Sequence, residues 1–174
     1  MLGDGLPGRL GMTILPGKHG VSVRYPGRVY RRDLDEDLRA LRRASVRRLV
    51  LLVTDEELAR WGHLAIAERA ARFGIDVRRA PLDDGCAPVD AAAMDAILEL
   101  AREGRRDGDV AVACMGGVGR TGTVAACALV AAGLPARAAI RHVRAVRHPT
   151  AVETAEQQEF VAAYAARRAV PRRS

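Results

Sequence analysis

Cys114-Met115-Gly116-Gly117-Val118-Gly119-Arg120-Thr121-Gly122 is the stretch that decides the fold of this 174-residue sequence. A short apolar run, 110–113, precedes it, and a long Ala/Val/Leu run, 123–132, follows. That order reads as strand, tight glycine loop, helix. Three glycines among the five residues between Cys114 and Arg120 let the backbone curl until successive N–H groups point inward. A concave nest of that kind at a helix N-terminus binds a phosphate-sized anion through oriented amides and the helix dipole. The same field favours thiolate over thiol and lowers cysteine pKa values to roughly 3.5–7.5. Arg120 closes the ring with a planar fork suited to two phosphate oxygens. Met115, Gly116, Gly117, Val118, Gly119 and Arg120 are therefore the candidate phosphate-binding residues, with Cys114 as the nucleophile at their centre.

Other readings overlap the loop. Residues 117–122 fit the dinucleotide pattern G-x-G-x-x-G, but no Asp or Glu lies about 20 residues later to hold a ribose. A nucleotide P-loop needs Lys and then Ser/Thr after its last glycine, whereas Gly122 is followed by Thr123 and Val124. A plain glycine turn with a buried strand-end cysteine accounts for neither the Cys-to-Arg spacing nor the flanking elements.

Outward from the loop, strands and helices alternate, which predicts an α/β fold with helices on the faces of a sheet. Residues 48–53 form a continuous apolar run, as in a strand buried on both faces. Helices are predicted over 33–43, over 55–73 with a break at Gly62, over 88–103 with Val89 on the apolar side, from 123 to 132, from Pro135 to near Arg147, and over 154–168. Residues 1–20, with six glycines and two prolines, are expected to form an irregular arm; 21–25 alternate as a short strand and 75–77 form another. The domain is expected to span 21–168, with a basic tail at 169–174.

Composition narrows the function. A chain of this length suits one domain with a real core. Lys and Arg number 28 against 21 Asp and Glu, a formal charge of +7, which invites a nucleic-acid reading. The arginines are scattered through helices, and aromatics at 3% give little stacking surface, so no nucleic-acid partner is expected. The positive body instead suits steering of a phosphorylated substrate. Three cysteines, an odd number without zinc spacing, suggest a reducing compartment; no run is long and apolar enough to span a membrane, and residues 1–11 do not read as a secretory signal. A cytoplasmic protein without metal or cofactor is the expectation, His63 and His148 being loop or surface histidines.

Cys, five residues, Arg, Thr resembles the signature loop of the protein-tyrosine phosphatase superfamily, in its common form G-x-x-G-R-T-G. Pro81-Leu82-Asp83-Asp84-Gly85-Cys86-Ala87-Pro88 is similar to the general-acid loop of the small dual-specificity phosphatases, and residues 148–157 to the late loop that places a glutamine near the attacking water. Leu15-Pro16-Gly17-Lys18, Arg32-Asp33 and Thr54-Asp55-Glu56-Glu57-Leu58 add likeness to the kinase-associated branch, and the similarity covers about residues 12–168.

The resemblance implies a cysteine-phosphatase fold with a central, mostly parallel sheet, and a phosphocysteine mechanism on protein Tyr, Ser or Thr. It assigns Cys114, Arg120, Asp84 and Thr121 as catalytic residues. Asp84 is the general acid, a role typically worth roughly 10²–10⁴-fold, and Thr121 helps the thiolate leave. Asp83 is the rival acid, and the adjacent pair before glycine is also ordinary turn chemistry. Gln157 orients the water, or only closes a capping box with Thr154. Cys86 reads first as an ordinary loop cysteine, with a reversible disulfide to Cys114 as the lesser alternative, and Cys127 reads as packing. Ala113 departs from the family, which has histidine there; less ready ionisation of Cys114 and slower turnover are expected. Phosphoinositides, inositol phosphates and RNA 5′-phosphates are alternative substrates of such a loop, and a phosphate-binding pseudophosphatase is the reading outside catalysis.

Overall fold

The computed structural model describes residues 6–22, 26–61 and 64–169. Two neighbouring strands, β4 (Val46–Leu51) and β6 (Asp109–Cys114), form the interior of a four-stranded sheet. Their side chains alternate between two apolar layers, as strand geometry requires. Val50, Val110 and Val112 face one layer; Leu49, Leu51, Ala111 and Ala113 face the other. β1 (Leu10–Ile14) flanks β6 and β5 (Asp76–Arg79) flanks β4, giving the order β1-β6-β4-β5 with every pairing parallel. A separate antiparallel pair joins β2 (His19–Val21) to β3 (Val29–Arg31).

α1 (Leu34–Arg43), α2 (Asp55–Arg60) and α3 (Ile66–Ala71) cover the face of Leu49, Leu51, Ala111 and Ala113 through Leu34, Leu38, Leu58, Ile66 and Ala70. α4 (Ala91–Gly104), α5 (Arg120–Ala131), α6 (Ala136–Val146) and α7 (Ala155–Ala169) cover the other. α5 is buried on nearly all sides. Its small residues Ala125, Ala126, Cys127 and Ala128 let neighbouring helices approach closely, which explains why so apolar a sequence is not an amphipathic surface helix. Parallel strands end together, so the turns after β4, β5 and β6 gather at one edge. In open α/β sheets that edge is where ligands bind.

The α/β architecture with a parallel central sheet agrees with the sequence, but several local expectations need correction. The 1–20 segment is not an irregular arm throughout. Leu10–Ile14 pairs with β6 from Leu10↔Val110 to Ile14↔Cys114, and Arg9 anchors its start by donating from its backbone N to Asp109 Oδ1 at 2.7 Å. Ladder pairing and packing of Leu10 and Met12 outweigh the local glycines. Of the predicted 21–25 strand, Val21 ends β2, and residues 23–25 lie outside those described, as do Gly62 and His63. The helix after Pro88 begins only at Ala91, because Asp90 caps it by accepting from Ala93 N at 2.8 Å. Val89 therefore precedes the helix and is 95% exposed rather than on its apolar side. α7 runs to Ala169, so the first residue of the predicted tail is helical; 170–174 lie outside the described residues.

Candidate active site

Cys114 is the last residue of β6 and is nearly buried. The five residues after it turn the chain into α5, whose N-cap, Gly119, supplies no side-chain cap. Both core layers pin this turn: Met115 packs against the α1–α3 layer and Val118 against the opposite one. Gly117 has φ +65°, and a Cβ there would stand 2.5 Å from the Thr13 carbonyl oxygen, so glycine is required. Val118 O accepts from Gly122 N at 3.2 Å and from Val152 N at 3.3 Å. Arg147, capping the end of α6, donates Nε to Gly117 O at 2.8 Å and Nη2 to Gly116 O at 3.4 Å. Val152 is buried with φ +59°, an uncommon conformation for a β-branched residue and a local strain held against the loop.

Arg120 opens α5 and is 1% exposed. Nη1 donates to Glu57 Oε2 at 2.7 Å, to Leu82 O at 2.8 Å and to Leu52 O at 3.3 Å. Nη2 donates to Glu57 Oε1 at 2.8 Å and to Asp84 Oδ1 at 3.0 Å. Nε has no partner, and neither has the Oγ1 of fully buried Thr121. Burial disfavours the guanidinium charge, yet the Glu57 hydrogen bond, the Cys114 sulfur, the Glu57 charge and Asp84 together raise its pKa above the ordinary arginine value. For Glu57, burial pushes the carboxyl up, but the Arg120 hydrogen bond and the Thr54 amide outweigh it and hold the pKa below the usual range. Glu57 reaches this position because Thr54 starts α2 with a complete capping box: Glu57 N donates to Thr54 Oγ1, and Thr54 N to Glu57 Oε2.

The loop carrying Asp83 and Asp84 extends from β5 along the end of β4, with Ala80 N bonded to Leu51 O and Leu82 N to Leu52 O. Gly85, at φ +82°, turns it, and Cys86 N donates to Asp83 O at 3.1 Å. This geometry sends the Asp84 carboxylate to Arg120, while Asp83 lines the rim of the same cleft. The start of α7 ties the loop down. Thr154 Oγ1 donates to Gly85 O at 2.8 Å, Gln157 Nε2 to Cys86 O at 3.2 Å, and Glu156 Oε1 accepts from Ala87 N at 2.9 Å. Gln157 is fully buried and closes the capping box, its Oε1 accepting from Thr154 N at 3.4 Å. It also lies under the glycine loop: a Cβ at Gly119 would come within 3.2 Å of its Nε2.

These groups meet in a cleft of about 680 Å³. Cys114, Met115, Gly116, Val118 and Arg120 form its floor; Lys18, Arg28 and Tyr30 of the β2–β3 hairpin, with Arg60 and Trp61, wall one side. Arg147 and His148 stand at the other. Cys127 is packed in α5, where burial pushes its thiol up to about 12. All three cysteines are unpaired. Sequence reasoning missed the grip of Glu57 on Arg120, although Thr54-x-x-Glu57 is a readable capping pattern. It missed Arg147 and the hairpin wall entirely, since no local motif announces contacts across the fold.

The comparisons with known proteins identify the class. Residues 28–171 match the family described as Swiss Army Knife protein, DSP-PTPase phosphatase domain (PTP-SAK). The chain belongs to this dual-specificity and protein-tyrosine phosphatase family of cysteine-dependent protein phosphatases. It is 26% identical over 154 residues to cyclin-dependent kinase inhibitor 3 of Rattus norvegicus, covering 87% of this chain and 69% of the relative. Among solved structures it is similar to the active form of Tk-PTP, with 30% identity, TM-score 0.73, and coverage of 92% of this chain and 93% of the other. It shares its fold with kinase associated phosphatase carrying serine in place of the catalytic cysteine, at 24% identity and TM-score 0.75, with 93% and 88% covered. No helix among the described residues is long and apolar enough to cross a membrane.

Proposed function

We propose that this chain hydrolyses phosphate monoesters on protein tyrosine, serine or threonine through a phosphocysteine at Cys114. The observation that carries the reading is the unpartnered Nε of Arg120 together with the unpartnered Oγ1 of Thr121, both buried at the loop that encloses Cys114. A buried donor left unmet costs about 1–3 kcal/mol, and a phosphoryl oxygen satisfies it. The Cys114 thiolate attacks phosphorus while the ester P–O bond breaks, and the departing oxygen takes the proton of Asp84. Water then attacks the phosphocysteine, Asp84 accepts its proton, and the P–S bond breaks to release phosphate and the thiolate. Thr121 hydrogen-bonds the departing sulfur. The amides of residues 115–120 and the Arg120 guanidinium stabilise the transition-state charge, so no metal ion or cofactor is invoked. Gln157, capping α7 beneath Gly119, lies close enough to the loop to orient that water.

The unpaired thiols of Cys86, Cys114 and Cys127 favour a reducing, cytoplasmic setting. Lys18, Arg28, Arg60 and Arg147 along the cleft support a second reading, a phosphoinositide, inositol phosphate or RNA 5′-phosphate as substrate. The test is hydrolysis of para-nitrophenyl phosphate with EDTA present, comparing wild type with Cys114→Ser, followed by a panel of phosphopeptides and phosphoinositides. Hydrolysis abolished by Cys114→Ser and highest on phosphopeptides bears out the proposal. Turnover unchanged in Cys114→Ser overturns it, and vanadate binding without any turnover identifies a pseudophosphatase.

A further inference from the structure

The catalytic cleft has a neighbour. A groove of about 880 Å³ is formed by the start of α2, the 81–89 loop and α7, and Thr54 and Asp83 border both spaces. Its wall is apolar, built from Pro81, Leu82, Pro88, Val89 and Phe160, and Val89 is left almost wholly open to water. Five carboxylates surround that wall, those of Asp55, Glu56, Asp83, Glu156 and Glu159, and no lysine or arginine stands among the described lining residues. Asp55 meets Arg79 at 2.9 Å and Glu156 accepts from Ala87 N, but Glu56, Asp83 and Glu159 have no cationic partner among the described residues. The catalytic cleft is the opposite, walled by Lys18, Arg28, Arg60 and Arg147.

Helix chemistry explains part of this pattern. Asp55, Glu56 and Glu156 lie in first turns, where the helix dipole favours anions. It does not explain Glu159 further along α7, Asp83 in the loop, or an apolar wall facing solvent. Nor do the carboxylates suit a metal ion, since no group of three such side chains among the described residues is close enough to hold one. Carboxylates over an apolar wall match one kind of side chain, a long apolar stem with a cationic head.

We propose that this groove is a substrate subsite for an arginine-bearing segment of the phosphoprotein, so that the chain selects phosphorylated residues with a basic side chain a few positions away. The inference rests on the phosphatase reading above. Arginine lays its stem on the wall, reaches the carboxylates with its planar fork, and stacks on a ring such as Phe160. The shared border at Thr54 and Asp83 lets one extended chain, advancing about 3.3–3.6 Å per residue, enter both spaces. The formal charge of +7 does not cancel the local field, because exposed charges more than about 8 Å away are largely screened at physiological ionic strength.

Three labelled phosphotyrosine peptides test this, identical except for arginines, alanines or glutamates flanking the phosphorylated residue. Fluorescence anisotropy with the Cys114→Ser chain reads affinity, and wild-type kcat/KM reads turnover. The arginine peptide binds about 5–30-fold more tightly than the alanine peptide, as two partly exposed ion pairs allow, and 0.5 M NaCl narrows the gap. Glu56→Gln/Glu159→Gln, which changes two exposed residues, removes most of the preference and leaves para-nitrophenyl phosphate hydrolysis at the wild-type rate. Glu68→Gln/Asp107→Asn, the same loss of charge at exposed positions outside the groove, keeps the preference. Equal affinities, or tighter binding of the glutamate peptide to the basic cleft, overturn the inference. So does a preference that survives Glu56→Gln/Glu159→Gln or is lost equally in the control. Failure of the phosphatase reading is a separate result, seen as wild-type hydrolysis by Cys114→Ser or none by the wild type, and the anisotropy ranking still decides what the groove binds.

Discussion

Glu57 is the group whose removal most directly tests how Arg120 is held. Its two oxygens accept from both terminal nitrogens of a guanidinium that is 1% exposed, at 2.7 and 2.8 Å. The remaining anionic partner, Asp84, has a side chain 65% exposed and is therefore weakened by solvent. Breaking a buried pair from one side costs about 3–5 kcal/mol. Glu57 keeps 17% of its side chain exposed, and water enters the gap left by Glu57→Ala, so the expected loss is at the lower end, about 3 kcal/mol. Glu57→Gln keeps the acceptor for Thr54 N and one contact to Arg120; it loses the charge, for about 1–2 kcal/mol. Thr54→Ala removes the cap at roughly 1 kcal/mol and leaves the carboxylate on Arg120. Urea unfolding ranks the three, and kcat/KM on para-nitrophenyl phosphate separates clamp from cap. Misplacing Arg120 costs about 10²-fold in kcat/KM for Glu57→Ala, with a far smaller loss for Thr54→Ala. Wild-type kcat/KM in Glu57→Ala, or equal kinetic losses in Glu57→Ala and Thr54→Ala, would refute the reasoning.

Three further outcomes follow from the geometry. Asp84→Asn slows hydrolysis of phenyl phosphate, whose leaving group needs a proton, by roughly 10²–10⁴-fold, whereas Asp83→Asn stays near wild type; the reverse order transfers the acid role to Asp83. Gly117→Ala places a methyl against Thr13 O at φ +65°, costs more than about 1 kcal/mol in urea unfolding, and weakens vanadate binding in titrations. The depressed pKa of Glu57 contributes stability above the unfolded carboxylate value of about 4.3, lost as pH falls through the lower folded value. The urea midpoint should hold from neutrality to about pH 5 and then decline, and Glu57→Gln should remove its share of that decline.

The centre of this fold was legible because its chemistry is local. Cys114 to Thr121 carries strand end, turn, cation and helix start in eight consecutive residues, so their covalent spacing brings the proposed anion-binding parts close together. Asp84 was singled out by the resemblance of residues 81–88 to a general-acid loop, and its carboxylate lies 3.0 Å from Arg120 Nη2. What could not be read were contacts made across the fold. Arg147 lies 30 residues from the carbonyl it holds and Glu57 lies 63 from Arg120, and nothing in the chain between announces either meeting. β1 was hidden differently: five residues next to glycine and proline carry a weak strand signal, and only the presence of β6 makes them pair.

The same division explains how the site is built. Local sequence supplies the reactive groups, but a glycine loop that is free to bind an oxyanion is also free to collapse. Each support comes from a different element: Thr13 of β1 behind Gly117, Glu57 of α2 beneath Arg120, Arg147 of α6 on the carbonyls, Gln157 of α7 under Gly119. No one of these elements approaches the site without its own apolar packing against the sheet. The alternation of Val110 and Val112 with Ala111 and Ala113 is therefore a functional feature as well as a core pattern, because it seats helices on both faces of β6. Enlarging Ala113 to restore the missing histidine would push on Leu49 and Leu51 in that packing.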